Sequence, residues 1–301
     1  MTYDCHIQPD ALVALDIHVH VERDDDDHLS LPQDIIQAAA TYFRAPVTRP
    51  TVDETAAVYR ERHMAAVVFT VDATTALGHA PNRTEDLVAG AERNADVLIP
   101  FGSVDPWSPT VLDRIGELAD LGVRGWKFHP SLQGFDPADE RHRPMFGALA
   151  ELGLPLVVHT GQTGIGAGLP GGRGIKLRYS NPMLLDDVAA EFPDLPIVLA
   201  HPSVPWQDEA LSMATHKGQH LDRPVGMVAE VLPGPPGAGS IRTPHPQDAL
   251  RHGLPAAPAR SVAARLRHAR PLGRGPQHDP QGQRCPSPRA LSSRVEWGSC
   301  D

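Results

Sequence analysis

The sequence predicts an α/β protein in which short parallel strands alternate with helices around a single barrel. Short apolar runs rich in valine, leucine and isoleucine alternate with longer helical patterns six times between residues 11 and 216. The length of 301 residues suits one barrel of about 250 residues with extra segments. Three of the apolar runs end in histidine, at the strand ends where a barrel gathers its chemistry.

The first strand carries the pattern on which the functional argument depends. An apolar run, residues 11–15, has the composition of a buried strand and leads into Asp-Ile-His-Val-His at residues 16–20. Side chains two apart on a strand point the same way, so His18 and His20 present two imidazoles to one side. Neutral imidazole is the commonest metal ligand, and this pair predicts half of a metal site.

Two further strand ends repeat the feature. His159 closes the apolar run 154–158, and His201 closes the run 195–200. A single histidine at a strand end is more often a core or rim residue than a ligand. The repeated placement favours one shared metal site over several unrelated residues.

The other elements follow in order, each with its own local signal. Thr51 and Glu54 form the pattern of a helix start, and Gly122 and Gly153 stand where helices end. The predicted strands are residues 65–71, 97–104, 123–130, 154–161 and 195–202. The predicted helices are residues 51–63, 85–94, 111–121, 145–152, 184–192 and 207–216.

Two stretches predict loops. The acidic residues 22–28 indicate a solvated loop rather than a second ion site. Residues 161–182 contain seven glycines, so we expect a mobile loop over the barrel rim and no packed element. The cations of this run are Arg173, Lys176 and Arg178, which either hold an anionic substrate group or form a solvated basic loop.

Composition narrows the class of protein. The formal net charge of −10 and the pI of about 5.9 argue against a nucleic-acid surface. The chain has no apolar run long enough to span a membrane and no basic-then-apolar start, so we expect a cytoplasmic protein without a membrane partner. Cys5, Cys285 and Cys300 have no metal-binding or redox spacing and are expected to be free thiols.

The composition changes abruptly near Gly218. Residues 219–301 hold 13 of the 31 prolines and 11 of the 27 basic residues, but no lysine. Such a stretch buries too little apolar surface to offset the cost of ordering its backbone. The expected organisation is therefore a barrel portion, residues 1–218, followed by an aberrant, disordered tail, residues 219–301.

Four motifs carry a resemblance to a known family. They are the Asp-Ile-His-Val-His of residues 16–20, the Trp-Lys-Phe-His-Pro of 126–130, the Val-His-Thr-Gly of 158–161 and the Leu-Ala-His-Pro of 199–202. In this order they resemble the amidohydrolase-related family, which includes aminocarboxymuconate-semialdehyde decarboxylase and similar metal-dependent hydrolases. The resemblance covers about residues 16–216 and implies a TIM-type (β/α)8 barrel whose seventh and eighth strands are missing or disordered here.

The resemblance also implies roles for residues. His18, His20 and His159 correspond to ligands of one divalent metal, expected to be zinc with manganese as the alternative, and His201 to a catalytic acid/base or a ligand. Lys127 and His129 are candidate substrate-binding residues, together with the three cations of the glycine-rich run. Lys127 has two further interpretations, as a carboxylated lysine bridging two metals or as the partner of a carboxylate, and His129 could instead orient a neighbour.

The family's eighth-strand aspartate, in a G-[ST]-D-[FY]-P setting, has no counterpart in the sequence. Codons exist for residues 251–255 that spell Gly-Thr-Asp-Phe-Pro when read one nucleotide later. Residues 224–233 and 256–270 also yield family-like segments with the same offset. We therefore hypothesise that one extra nucleotide near Gly218 placed the tail out of frame, and we expect weak or no activity and poor solubility.

Three functions remain open at this level. The first is a metal-dependent hydrolase that uses a metal-activated water on a small, anionic carbonyl compound. The second is a non-oxidative decarboxylase with the same ligands, and the third is an inactive, truncated homologue. The expected partners are a small-molecule substrate and, in a homodimer, a second copy of the chain.

Overall fold

The structure is a computed structural model that describes residues 3–44 and 49–217. Its strands are β1 (Ala14–His20), β2 (Met64–Phe69), β3 (Leu98–Pro100), β4 (Trp126–Phe128), β5 (Leu156–His159) and β6 (Ile197–Ala200). Its helices are α1 (Gln33–Phe43), α2 (Val52–Glu61), α3 (Thr74–Leu77), α4 (Thr84–Arg93), α5 (Val111–Leu121), α6 (Pro130–Gln133), α7 (Arg143–Leu152), α8 (Asp186–Glu191) and α9 (Gln207–Lys217).

The strands form one parallel wall in chain order. β1, β2 and β3 pair in parallel, and so do β4, β5 and β6. The two halves join at Gly102, whose N–H donates to Gly125 O at 2.8 Å and whose carbonyl accepts from Lys127 N–H at 2.7 Å. All six strands therefore turn their carboxyl ends to the same rim.

The core has two layers, one on each side of the wall. Alternate β2 residues divide between them, with Ala66 and Val68 packed towards the helices and Val67 and Phe69 packed inside the barrel. Every residue of β2 is buried. This is the two-sided burial expected of a parallel strand covered by helices.

Several sequence signals are confirmed in detail. Thr51 and Glu54 form a capping box at the start of α2, with both reciprocal hydrogen bonds present. α5 has its predicted bounds, and it ends at Gly122, whose φ of 104° few other residues adopt. The acidic residues 22–28 form a loop in which Asp24 accepts hydrogen bonds from the N–H groups of Asp26 and His28.

Other expectations were wrong. The first apolar run is not strand throughout, because Pro9–Ala11 form a 3-10 turn and β1 begins at Ala14. Pro9 favours this turn, since its fixed φ suits the first turn of a helix. The residues of β1 are half-buried rather than buried. Three helices were not predicted: α1, α3 and α6.

The glycine-rich run is more structured than expected. It contains 3-10 turns at Pro170–Gly174, Leu177–Ser180 and Pro182–Leu185. Ile165, Leu169 and Ile175 pack against a buried cluster that includes residues of α1. The prediction that this run forms no packed element is therefore wrong, because its isoleucines and leucine find apolar partners on α1.

Several predictions lie outside the described residues. They are the predicted disorder of residues 219–301, the shifted reading frame of that tail, the missing or disordered strands seven and eight, and the free thiols of Cys285 and Cys300. Cys5 is a free thiol. Among the helices of the described ranges, none is both long and apolar enough to cross a membrane.

Candidate functional site: a buried histidine cluster at the strand ends

The structure brings histidines from distant parts of the chain to one rim of the wall. His18 and His20 come from β1, His159 ends β5, and His201 directly follows β6. The ring centroids of His18 and His201 are 4.6 Å apart, and those of His159 and His201 are 4.9 Å apart. His201 thus links the β1 pair to His159.

The β1 pair is close enough to share a partner. His18 Nε2 and His20 Nε2 are 3.1 Å apart, as expected for side chains two residues apart on a strand. Lys127 Nζ lies 3.0 Å from His18 Nε2 and 4.9 Å from the centre of the Phe69 ring. Lys127 is fully buried, and its contact with His18 replaces the predicted pairing with a carboxylate.

His129 and His159 stack face to face, with ring centroids 3.8 Å apart and planes inclined by 10°. The Nδ1 of His129 accepts a hydrogen bond from Leu132 N–H, and its Nε2 lies 3.3 Å from Thr163 Oγ1. His129 therefore connects α6, His159 and the glycine-rich run. These contacts favour the interpretation that it orients its neighbours.

The backbone that holds His201 is unusual. His201 and Ser203 have φ values of 72° and 58°, which cost energy in residues other than glycine. Ser203 Oγ is 2.7 Å from Thr160 Oγ1, which also lies 2.9 Å from Ala200 O. A Cβ on Gly161 would lie 2.7 Å from Ser203 Cα, so glycine is needed there. Sequence reasoning missed Thr160 and Ser203, because a pair of hydroxyls gives no spacing signal.

Desolvation keeps the cluster free of protons, although His18, His20 and His201 are half-buried and only His129 and His159 are buried. Desolvation is the largest cause that lowers the pKa of His18, His20, His129 and His159 well below 6.5. The pKa of His201 falls to about 4, first through burial and then through Lys127. Burial also lowers the pKa of the Lys127 amine. The imidazoles are therefore neutral at pH 7, which is the form that binds metal.

The donor set fits a divalent metal in its chemistry. Two nitrogens bound tetrahedrally to one zinc lie about 3.4 Å apart, close to the 3.1 Å between the β1 imidazoles. His159 Nε2 is buried and has no hydrogen-bond partner within the described residues. Across residues 3–44 and 49–217, however, no three histidine, cysteine, aspartate or glutamate side chains are arranged to hold an ion together. The β1 pair is thus at ligand spacing, while His159 is a free donor outside it.

The three cations of the glycine-rich run make their contacts elsewhere. Arg173 Nε pairs with Asp34 of α1 at 2.6 Å. Lys176 and Arg178 lie over the Tyr179 ring, at 5.8 and 4.8 Å from its centre. The structure does not show contacts of these cations with the histidines.

The carboxylate nearest to His18 in sequence is already engaged. Asp16 accepts hydrogen bonds from the His18 N–H at 2.9 Å and from the Tyr59 hydroxyl at 2.6 Å. Burial and Asp16 together raise the pKa of Tyr59. Asp16 therefore fixes the backbone of the β1 histidine pair, a supporting role that sequence reasoning did not assign.

Comparison with known proteins agrees with this architecture. The amidohydrolase family model matches residues 3–271, so the match continues past the composition change near Gly218. An uncharacterised TIM-barrel protein from Bordetella bronchiseptica is 18% identical, with a TM-score of 0.52 over 68% of this chain and 72% of that chain. A search of the curated proteins returns no match.

Two further solved structures are less similar. A probable 2-pyrone-4,6-dicarboxylic acid hydrolase from Acinetobacter baumannii is 16% identical, with a TM-score of 0.42 over 66% of this chain and 66% of that chain. A 5-carboxyvanillate decarboxylase from Novosphingobium aromaticivorans, complexed with manganese, is 17% identical, with a TM-score of 0.47 over 74% and 76% of the two chains.

The parallel wall with its helical cover is a TIM-type barrel. The chain belongs to the amidohydrolase family, whose members are metal-dependent hydrolases or decarboxylases. The predicted family and fold class are confirmed.

Proposed function

We propose that the protein is a metal-dependent hydrolase of a small, anionic carbonyl compound. The observation that carries the proposal is the gathering of neutral imidazoles at one rim, half-buried on β1 and just after β6 and buried at the end of β5. His18, His20 and His159 would hold one divalent ion, with zinc expected and manganese the alternative. Such an ion, when bound, polarises a carbonyl oxygen and makes water a nucleophile at neutral pH.

The remaining residues of the cluster have separate tasks. His201, with its pKa near 4, is unprotonated at pH 7 and accepts a proton from the attacking water. Lys127 is held beside His18 and donates a hydrogen bond to a substrate oxygen. Lys176 and Arg178 are exposed on the glycine-rich run and attract the anionic group before it enters.

Metal content is the first test, because it does not require a known substrate. We expect the purified chain to bind about one zinc or manganese ion, and His18→Asn or His20→Asn to weaken binding by at least roughly 100-fold, more than loss of an outer-shell partner. His63→Asn is the matched control, since His63 is exposed just beyond the end of α2. Equal metal content in all variants would refute the metal site.

Activity is the second test. Hydroxybenzoates and lactones form a suitable panel, with acid production reporting hydrolysis and CO₂ release reporting decarboxylation. We expect acid production, reduced about 10²- to 10⁴-fold in His201→Asn because a general base is lost. CO₂ release without acid production would contradict the hydrolase proposal and favour a decarboxylase of the same family.

A further inference from the structure

A small cavity with a mixed polar and apolar lining adjoins the histidine cluster at His20. Its volume is about 10 Å³, close to the roughly 10–15 Å³ that one water molecule needs. Half of its lining residues are polar, although the cavity lies between buried elements. These polar residues are His20, Glu22, Ser30 and Thr70.

Thr70 is the residue that gives this cavity a chemical preference. It directly follows β2 and is 2% exposed. Its Oγ1 is buried and has no hydrogen-bond partner among the described residues. Buried hydroxyls are nearly always paired, so the unpaired Thr70 hydroxyl can accommodate a hydrogen-bond partner in the cavity that it lines.

The cavity walls favour an oxygen atom as that partner. The Thr70 hydroxyl can donate one hydrogen bond, and Ser30 and Glu22 add polar walls next to it. Glu22 is fixed by Arg49, whose Nε lies 2.7 Å from Glu22 Oε2. Apolar side chains, among them Leu132, line the other side.

We propose that this cavity is a single-oxygen subsite of the histidine cluster. The Thr70 hydroxyl donates a hydrogen bond to one oxygen, which belongs to a water molecule in the free protein and to a carboxylate or hydroxyl group of the substrate in the complex. Thr70 is then a positioning residue that favours substrates carrying a second oxygen beside the reacting carbonyl. The proposal has two halves. The substrate half, that the cavity binds a substrate oxygen in the complex, rests on the proposed hydrolase function, whereas the water half, that it binds a water molecule in the free protein, does not.

Thermal unfolding of the full chain tests the water half, because the two possibilities predict opposite changes of Tm in Thr70→Val. If an oxygen occupies the cavity, Thr70→Val removes a hydrogen bond and lowers Tm. If the cavity is empty, the same substitution removes an unpaired buried hydroxyl and raises Tm, which would overturn the proposal. Thr55→Val is the reference for the decrease of Tm on losing one hydrogen bond, because Thr55 Oγ1 donates to Thr51 O at 2.8 Å.

A crystal structure of the ligand-free protein tests independently whether a water molecule occupies the cavity. We expect one ordered water within hydrogen-bond distance of Thr70 Oγ1, absent in Thr70→Val. An empty cavity in the native protein would overturn the subsite, whatever the unfolding data show.

Steady-state kinetics test the substrate half on any panel compound that is turned over. We expect Thr70→Val to raise KM at least about tenfold, the loss of a hydrogen bond to a charged oxygen, and Thr70→Ser to restore most of it. An unchanged KM would overturn the substrate half. If no compound is turned over, the hydrolase proposal and the substrate half fail together, while unfolding and crystallography still decide the water half.

Discussion

At the scale of one residue, His142 shows that burial away from the functional site can lower the pKa of a histidine. Its ring lies between Trp107 and Phe135, with centroids 4.9 and 5.0 Å away, and its Nε2 has no partner among the described residues. Desolvation is the largest cause that lowers the pKa of His142 below 6.5. A depressed pKa is therefore not by itself a sign of the functional site, which also requires several such groups together.

This histidine predicts a pH dependence of stability. Below pH 6.5 the unfolded chain binds the proton that the folded His142 excludes, so stability is present above that pH and falls as pH drops towards the folded pKa. The site histidines act in the same direction. We expect Tm of the chelator-treated protein to decrease from pH 7 to pH 5.

A substitution separates His142 from the site. His142→Gln can still donate to the Pro106 carbonyl, and we expect it to flatten the fall of Tm with pH. His63→Gln, at an exposed position, should leave the slope unchanged. An identical slope in His142→Gln and the native chain would contradict the assigned protonation.

At the residue scale, sequence periodicity predicts which side chains meet along one strand. The spacing of His18 and His20 was sufficient to predict that their nitrogens lie together, and they do at 3.1 Å. The contact of Lys127 with His18 joins residues 109 positions apart on β4 and β1, which are not neighbours in the wall. No local pattern encodes such a contact.

At the element scale, the join between β3 and β4 depends on a missing side chain. A Cβ on Gly125 would overlap the Phe101 ring, so the ring must move. We expect Gly125→Ala to destabilise the fold by about 1–3 kcal/mol, as in other overpacked cores. Denaturant unfolding measures this change.

Gly116→Ala is the matched control for that substitution. Gly116 lies inside α5, and its Cβ would meet nothing within 4 Å. Alanine should therefore stabilise the helix by about 0.5–1 kcal/mol, because glycine loses more backbone entropy on folding. Destabilisation of both variants to the same extent would show that the close approach at Phe101 is not the cause.

The element scale also shows why some helices escape prediction. α1 follows Pro32 and buries Ile35, Ile36, Ala39 and Ala40. Ile35 and Ile36 pack with residues that follow β2, with Leu132 of α6 and with apolar residues of the glycine-rich run, and Asp34 pairs with Arg173 of that run. A helix that packs on a loop has no place in a strict alternation of strands and helices, so the pattern used to read the sequence omits it.

At the scale of the whole molecule, the family match and the composition disagree about where the barrel portion ends. The match runs to residue 271, whereas proline and arginine become dense after Gly218. The hypothesised one-nucleotide shift accounts for the change in composition, whereas the continued match gives it no support, because a shifted frame loses the residues that a family model recognises. The six strands and the histidines precede Gly218, so they do not depend on this explanation.

The frame hypothesis makes the last prediction. Deleting one nucleotide near the Gly218 codon should restore a Gly-Thr-Asp-Phe-Pro segment, and with it the aspartate that the family places on its eighth strand. We expect the restored protein to be more soluble, to bind metal more tightly and to be more active than the chain as it stands. His201→Asn in the restored background is the control, since it should remove the gain in rate without reducing solubility. Equal metal affinity and activity in the two proteins would contradict the frame hypothesis.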